Sequence, residues 1–353
     1  MKRLFIRILI VIIPFLLIVP IINYCVDPAD IYHGEESVNI IINGIRNGKN
    51  VVCRKNINDR IFKRKLLEIN KNKHYNYMIF GSSRVKTISN EALGDCLLNL
   101  GVSACRFYDF LSFYEICKEN NVKYDTIIIG LDYFTLGDID RPQWKDNAKY
   151  YNRFIGKNDS YRPYISKEKI TNMLSFSYFQ ESLHTLKSRS IENIYYTDSL
   201  INEATTYRVD GSKVYDSYSR EFTKTDSIAK IYSILDIYDI PQEHINLMET
   251  LIEKLKDEHI KVYFFFAPYH PIYYARLRNE KITTENERLL QIIAERYEVE
   301  TIGSFDPKKG NYVSSDFYDA THPKAETVDR IFKEYFANKE KDSACTTDVI
   351  PIF

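Results

Sequence analysis

Ile127-Ile128-Ile129, framed by Thr126 and Gly130-Leu131, is apolar throughout and no longer than a strand. Successive side chains of a strand point to opposite faces of its sheet. A run without polar alternation therefore needs cover on both faces, which suits a parallel strand packed between helices. Tyr77 to Phe80 and Lys261 to Phe266 are similar runs, and shorter strands are expected at 104–108 and 300–302. Helical spacing marks 37–46, 58–70, 90–98, 110–119, 243–257 and 285–297, and a last helix opens at His322-Pro323 and runs to 337. Alternation of this kind predicts an α/β fold with a doubly wound, mostly parallel sheet. Such sheets bind ligands outside the carboxyl ends of their strands, where Ser83, Gly101 and Asp132 should emerge.

Gly81-Ser82-Ser83-Arg84 directly follows the first run, and Asp319-Ala320-Thr321-His322 stands roughly 240 residues later. A serine hydroxyl needs a base to become a nucleophile, and an imidazole base needs a partner to fix its tautomer. An Asp and a His three residues apart on one turn can supply both. Each motif alone is also ordinary turn and cap chemistry. Together, at the carboxyl edges of two expected strands, they point to acyl transfer. Ser83 is then the nucleophile, His322 the general base and Asp319 its orienter. Ser82 is left to cap the following helix or shape the turn.

These blocks resemble the SGNH/GDSL hydrolase superfamily, especially its membrane-anchored, DltD-like and alginate-acetylation-like branches. Gly81-Ser82-Ser83 matches the family's G-x-S turn, and Asp319 with His322 matches its D-x-x-H block. Asn99-Leu100-Gly101-Val102-Ser103 resembles the glycine block. The resemblance implies an SGNH/flavodoxin-like fold and an oxyanion hole built from the N–H groups of Ser83 and Gly101. The family's third block carries an Asn donor, and here Asp132 occupies that neighbourhood. An ionised aspartate cannot donate to an oxyanion. Asp132 is read first as a structural partner of Arg84, otherwise as an orienter or an acceptor for a substrate hydroxyl. Arg84 either pairs with Asp132 or holds an anionic substrate group. His270, at the end of the third run, is either a substrate contact or an ordinary loop histidine.

The resemblance also implies an esterase or O-acyltransferase acting on cell-surface polysaccharide or glycan, with a polytopic membrane O-acyltransferase as a possible acyl donor. The alternative is an inactive SGNH-fold protein that binds glycan or helps assemble a modification or export complex. The chain carries 48 basic and 48 acidic residues. It thus lacks the basic footprint of a nucleic-acid binder. The histidines and the six cysteines (Cys25, Cys53, Cys96, Cys105, Cys117 and Cys345) show no metal-ligand spacing, so neither a metal nor another cofactor is expected. Cys96 and Cys105 are the nearest candidates for a disulfide, with free thiols the rival.

The amino terminus sets the expected compartment. Lys2, Arg3 and Arg7 precede an uncharged apolar run from Ile8 to Ile22. With Leu4 to Ile6 the run approaches the ~20 residues needed to cross a bilayer. The basic flank should stay inside and the remaining chain outside. No A-x-A-like cleavage site follows, which favours an uncleaved signal anchor over a cleaved signal. The expected plan is a cytoplasmic stub and transmembrane anchor at 1–23 and a membrane-proximal segment at 24–74. An α/β domain at 75–338, with a Tyr-rich insertion at 135–240, and a loose tail at 339–353 complete it. The insertion holds Trp144 and many tyrosines. It is read as an aromatic glycan-facing lid or as ordinary packing, with a turn at Val209-Asp210-Gly211-Ser212.

Overall fold

The computed structural model describes residues 17–28, 31–54, 57–94, 96–137, 142–157, 167–187, 194–198, 205–215, 240–279 and 281–346. The basic flank and most of the expected anchor therefore lie outside the described residues, as do Tyr161, Tyr164 and Tyr218. The end of the apolar run is a helix at 17–26. Among the described residues no helix is long and apolar enough to cross a membrane.

The main sheet has five strands, in the order β3-β2-β4-β8-β9. They are β2 (His74–Phe80), β3 (Leu97–Asn99), β4 (Lys123–Gly130), β8 (Lys261–Phe266) and β9 (Glu300–Gly303). Every pairing is parallel. The apolar runs are covered on both faces, as their composition requires. Met78, Phe80, Ile127, Ile129, Val262, Phe264 and Phe266 pack in one cluster with the helices Phe107–Glu119, Gln242–Asp257 and Lys281–Arg296. Ile79, Ile128, Tyr263 and Phe265 pack in another, against the helix Ala325–Thr346. The chain-order reversal falls between β2 and β4, so the crevice of the sheet opens at their carboxyl ends.

Several expected elements move. The strand expected at 104–108 is absent, because Ala104 turns with φ 50° and the helix begins at Phe107. Its place is taken by β3, which overlaps the end of the expected helix 90–98; only Asn90–Leu93 is helical there. The last helix starts at Ala325, because Phe317 and Pro323 form a bridge that keeps His322-Pro323 in the loop. That helix runs on to Thr346, so the expected tail from 339 is partly helical, and Lys339 binds Glu300. Cys96 and Cys105 are both free thiols and are not paired with each other.

The segments 24–74 and 135–240 are not separate units. They share a four-stranded antiparallel sheet, in which β1 (Asn50–Cys53) pairs with β5 (Ile194–Thr197) and β6 (Thr206–Tyr207). A turn at 208–212 joins β6 to β7 (Lys213–Val214), as its Asp-Gly sequence predicts. Gly211 has φ +82°, and a Cβ there would stand 2.6 Å from the Asn99 carbonyl oxygen. This turn is docked on the main sheet. The Asp210 carbonyl accepts from Asn99 N–H at 2.8 Å, and its Oδ2 accepts from Asn90 N–H at 3.0 Å.

The helix Asp59–Ile69 completes the clasp, with Arg60 and Lys63 among its buried residues. Arg60 binds Asp109 through two hydrogen bonds of 2.7 and 2.8 Å, and Lys63 is 2% exposed. Lys63 Nζ donates to the carbonyls of Asn99 at 2.8 Å and Gly211 at 2.6 Å. It thereby ties the insertion to the end of β3.

Burial, only partly offset by Asp59, lowers the Lys63 pKa to about 7. The unfolded chain keeps that proton to about pH 10. Between about pH 7 and 10 the unfolded state therefore binds more protons, and stability rises with pH. Below pH 7 both states are protonated and the cost of burying the charge is fully present. Lys63→Met is expected to remove this contribution. Denaturant titrations should show the wild type gaining on the variant by up to ~1.4 kcal/mol per pH unit across that window. Parallel curves would refute the assignment.

Candidate active site

Ser83 opens a 3₁₀ turn, Ser83–Val85, directly after β2. Ser82 caps it, its hydroxyl accepting the Arg84 N–H at 3.3 Å. The turn is seated by Val85, which is buried against the ends of three strands. A Cβ on Gly81 or Gly101 would stand 2.8 Å from Val85, and one on Gly130 would stand 2.2 Å away. The glycines after β2 and β3 and at the end of β4 thus clear one socket, and Val85 fills it.

The three residues expected to act together meet. Ser83 Oγ lies 2.7 Å from His322 Nε2. His322 Nδ1 lies 2.8 Å from Asp319 Oδ2 and 3.0 Å from Oδ1. Asp319 also accepts the main-chain N–H groups of Thr321 at 2.7 Å and His322 at 2.8 Å. Burial by itself would raise the Asp319 pKa. The hydrogen bond and charge of His322, with the two N–H donors, outweigh it and hold the carboxyl well below its usual range. An ionised Asp319 accepts the Nδ1–H proton, which leaves Nε2 as the acceptor for the Ser83 hydroxyl. Ser83, His322 and Asp319 thus form one continuous hydrogen-bonded chain.

His270 stands behind this loop. Its N–H donates to the Ala320 carbonyl at 3.2 Å and its ring packs on Phe317. Its Nδ1 accepts the Ile272 N–H at 3.3 Å, which caps the helix Pro271–Leu277. Burial pushes its pKa down, against the pull of Asp319. At 3% exposure it supports the Asp319–His322 loop and is not placed as a substrate contact.

Arg84 and Asp132 form the structural pair ranked first from the sequence. Arg84 Nη1 donates to Asp132 Oδ1 at 2.6 Å, and both side chains are buried. Nη2 donates to the carbonyls of Ala267 and of Pro268, the latter at 2.8 Å. The guanidinium lies 3.6 Å over the Tyr269 ring, and the Tyr269 hydroxyl donates to Asp132 at 3.0 Å. Asp132 is therefore engaged away from Ser83, and Arg84 is not available to a substrate anion.

The expected oxyanion pair is corrected. The Gly101 N–H donates to Asn99 Oδ1 at 2.8 Å. The Asn99 amide is held that way round because its Nδ2 donates to the Val85 and Ile88 carbonyls at 2.7 and 2.8 Å. Gly101 thus shapes the Val85 socket, while Asn99 consumes its donor. The Ser83 N–H makes no hydrogen bond among the described residues.

The sequence did not single out Asn99 as a partner of Gly101, nor Tyr215 as a neighbour of the nucleophile. The Tyr215 hydroxyl donates to the Ser83 carbonyl at 3.4 Å, and its ring faces Tyr318 at 6.2 Å. Other insertion aromatics divide, with Phe176 and Tyr196 exposed. Trp144 stacks on Tyr108 at 4.7 Å, and Tyr150 and Tyr207 are buried. Among the described residues no group of His, Cys, Asp or Glu is placed to hold a metal ion. No family model and no curated protein matches this chain.

Two outcomes test this geometry. Gly130→Ala places a methyl against Val85 and should cost about 1–3 kcal/mol by overpacking. In a thermal-unfolding cycle, adding Val85→Ala should relieve part of that cost, since the colliding methyl is gone. Additive losses would show that Val85 does not fill the socket. Asp132→Ala leaves Arg84 buried and unpaired, and should cost about 3–5 kcal/mol in unfolding free energy.

Proposed function

We propose that this protein is a serine-dependent ester hydrolase or O-acyltransferase of the SGNH type. It is anchored in the cell membrane by its amino terminus and acts outside the cytoplasm on cell-surface glycan. The observation that carries the chemistry is the 2.7 Å contact from Ser83 Oγ to His322 Nε2, backed by Asp319 at 2.8 Å. The resemblance of the G-x-S and D-x-x-H blocks to that superfamily supports the assignment, as does their meeting at the carboxyl edge of a parallel sheet. The basic flank and apolar run of the first 22 residues support the anchor.

In this reading Ser83 Oγ attacks the ester carbonyl while His322 Nε2 takes the hydroxyl proton. The oxyanion is stabilised by the Ser83 N–H. Collapse breaks the bond to the leaving alcohol, which receives the proton from His322, and leaves acyl-Ser83. Water or a sugar hydroxyl then attacks, its proton passes to His322, and that proton returns to Ser83 Oγ as the acyl group departs. Asp319 holds the imidazole and stabilises its charged form without taking the proton. Transfer to a sugar hydroxyl fits a polytopic membrane O-acyltransferase as partner.

A second reading has one observation in its favour. Asn99 occupies the Gly101 N–H, so the expected oxyanion hole is reduced to the Ser83 N–H. A protein with this fold and slow or absent chemistry would bind glycan or join an export assembly.

The readings part in one experiment. The full chain in detergent should be labelled by a fluorophosphonate, and Ser83→Ala should abolish labelling. Ser83→Ala and His322→Ala should each cut acyl release from an acetylated surface polysaccharide by on the order of 10³-fold or more. The double variant should be little worse, and Asp319→Ala milder. Unchanged surface acylation in cells carrying Ser83→Ala would leave the binding reading.

A further inference from the structure

The helix at 17–26 closes the apolar run of the amino terminus, and Leu17, Ile18 and Ile21 on it are 58%, 48% and 58% exposed. Its opposite face is bolted to the insertion. Asn23 is fully buried, and its Nδ2 donates to the main-chain carbonyls of Asn172, Met173 and Ser175 at 3.0–3.1 Å. Its Oδ1 accepts the Ser182 hydroxyl at 3.3 Å. Asp27, four residues on, accepts the N–H groups of Ile31, Tyr32 and His33 and the Tyr178 hydroxyl, all at 2.7–2.8 Å. Buried polar anchors of this kind fix position, because leaving any of these groups unpaired is costly.

The elements held there are two helices, Lys167–Met173 and Phe176–Lys187, joined at Leu174-Ser175. They present aliphatic side chains outward: Ile170 is 54% exposed, Leu174 61% and Leu183 38%. Leu174 lies within the loop whose carbonyls surround Asn23, next to the end of the apolar run. Tyr24 adjoins the same point, 47% exposed and in ring contact with Tyr32 and His33. The Tyr32 hydroxyl donates to the Lys169 carbonyl at 2.6 Å, which ties this aromatic group to the hairpin. Tyrosines at the end of an apolar span are the residues that settle at headgroup level.

We propose that the hairpin at 167–187 is a membrane-surface element. Ile170, Leu174 and Leu183 enter the outer-leaflet interface beside the point where the amino-terminal helix leaves the bilayer. The inference rests on the anchor assigned above and deepens it. The occupant is lipid because the exposed aliphatic surface is continuous with a segment whose apolar run already requires lipid. The same insertion that carries Tyr215 to Ser83 would then be held on the membrane by its first half.

The test uses the full chain reconstituted into phosphatidylcholine–phosphatidylglycerol vesicles, with Cys25, Cys96 and Cys345 changed to serine. An environment-sensitive fluorophore is placed singly at Leu174→Cys, Leu183→Cys, Ile12→Cys and, as an exposed control, Val313→Cys. Brominated lipid should quench Leu174 and Leu183 about three-fold or more above Val313, as for side chains at the headgroup–acyl boundary. If Ile12 is quenched but Leu174 and Leu183 match Val313, the hairpin inference fails and the anchor stands. If Ile12 is not quenched, the anchor falls and the inference with it. A blue shift at Leu174 and Leu183 without lipid quenching would show a protein covering the hairpin, and also overturns the proposal.

Discussion

The charge of Arg84, buried immediately after Ser83, is the constraint on which the site depends. An unpaired guanidinium in such a place would cost several kcal/mol. Here Asp132 comes from the end of β4, and the carbonyls of Ala267 and Pro268 come from the chain leaving β8. Tyr269 covers the guanidinium face and adds a cation–π contact. All these partners are needed at once, so the ends of β2, β4 and β8 are held in one arrangement. Val85, on the other side of the same turn, fits only because three strand ends carry no side chain. Between these two fixtures the Ser83 hydroxyl has little freedom to leave His322.

The wall beside Ser83 is assembled from segments far apart in the chain. Lys63 reaches from the helix Asp59–Ile69 to the Asn99 carbonyl and to the Gly211 carbonyl of the insertion. Lys86, two residues past Arg84, donates to Asp59 at 2.5 Å and to the Ser103 hydroxyl at 2.8 Å, while its own carbonyl accepts the Lys213 N–H at 2.7 Å. Burial would raise the Asp59 pKa, but Lys86 and Lys213 hold it well below the usual carboxylate range. The buried charges are thus matched across four segments.

Much of this was legible in the residues. The strand Lys261–Phe266 and the helix Gln242–Asp257 fall within a residue of where periodicity put them. The pairing of Ser83 with Asp319 and His322 follows from the chemistry of those side chains. Other features were hidden. Leu97 and Leu98 read as the end of a helix, yet with Asn99 they pair with β2 because an edge strand of three residues needs only a neighbour. Asn50–Cys53 becomes a strand because residues 194–197 and 206–207 arrive to pair with it. Nothing local marks Lys63 for burial, which comes only when the Gly211 turn closes over it.

The sequence by itself determined the alternation of two-sided strands and helices, and with it the edge of the sheet where a nucleophile and its base would emerge. Period and apolar content are local properties, and they suffice for that. Only the tertiary structure decided which donors remain open there. The Gly101 N–H is taken by Asn99 because the Val85 and Ile88 carbonyls orient that amide, and Asp132 is taken by Arg84. A polar group's partner is fixed by which distant segment desolvates it, and no local pattern of residues carries that information.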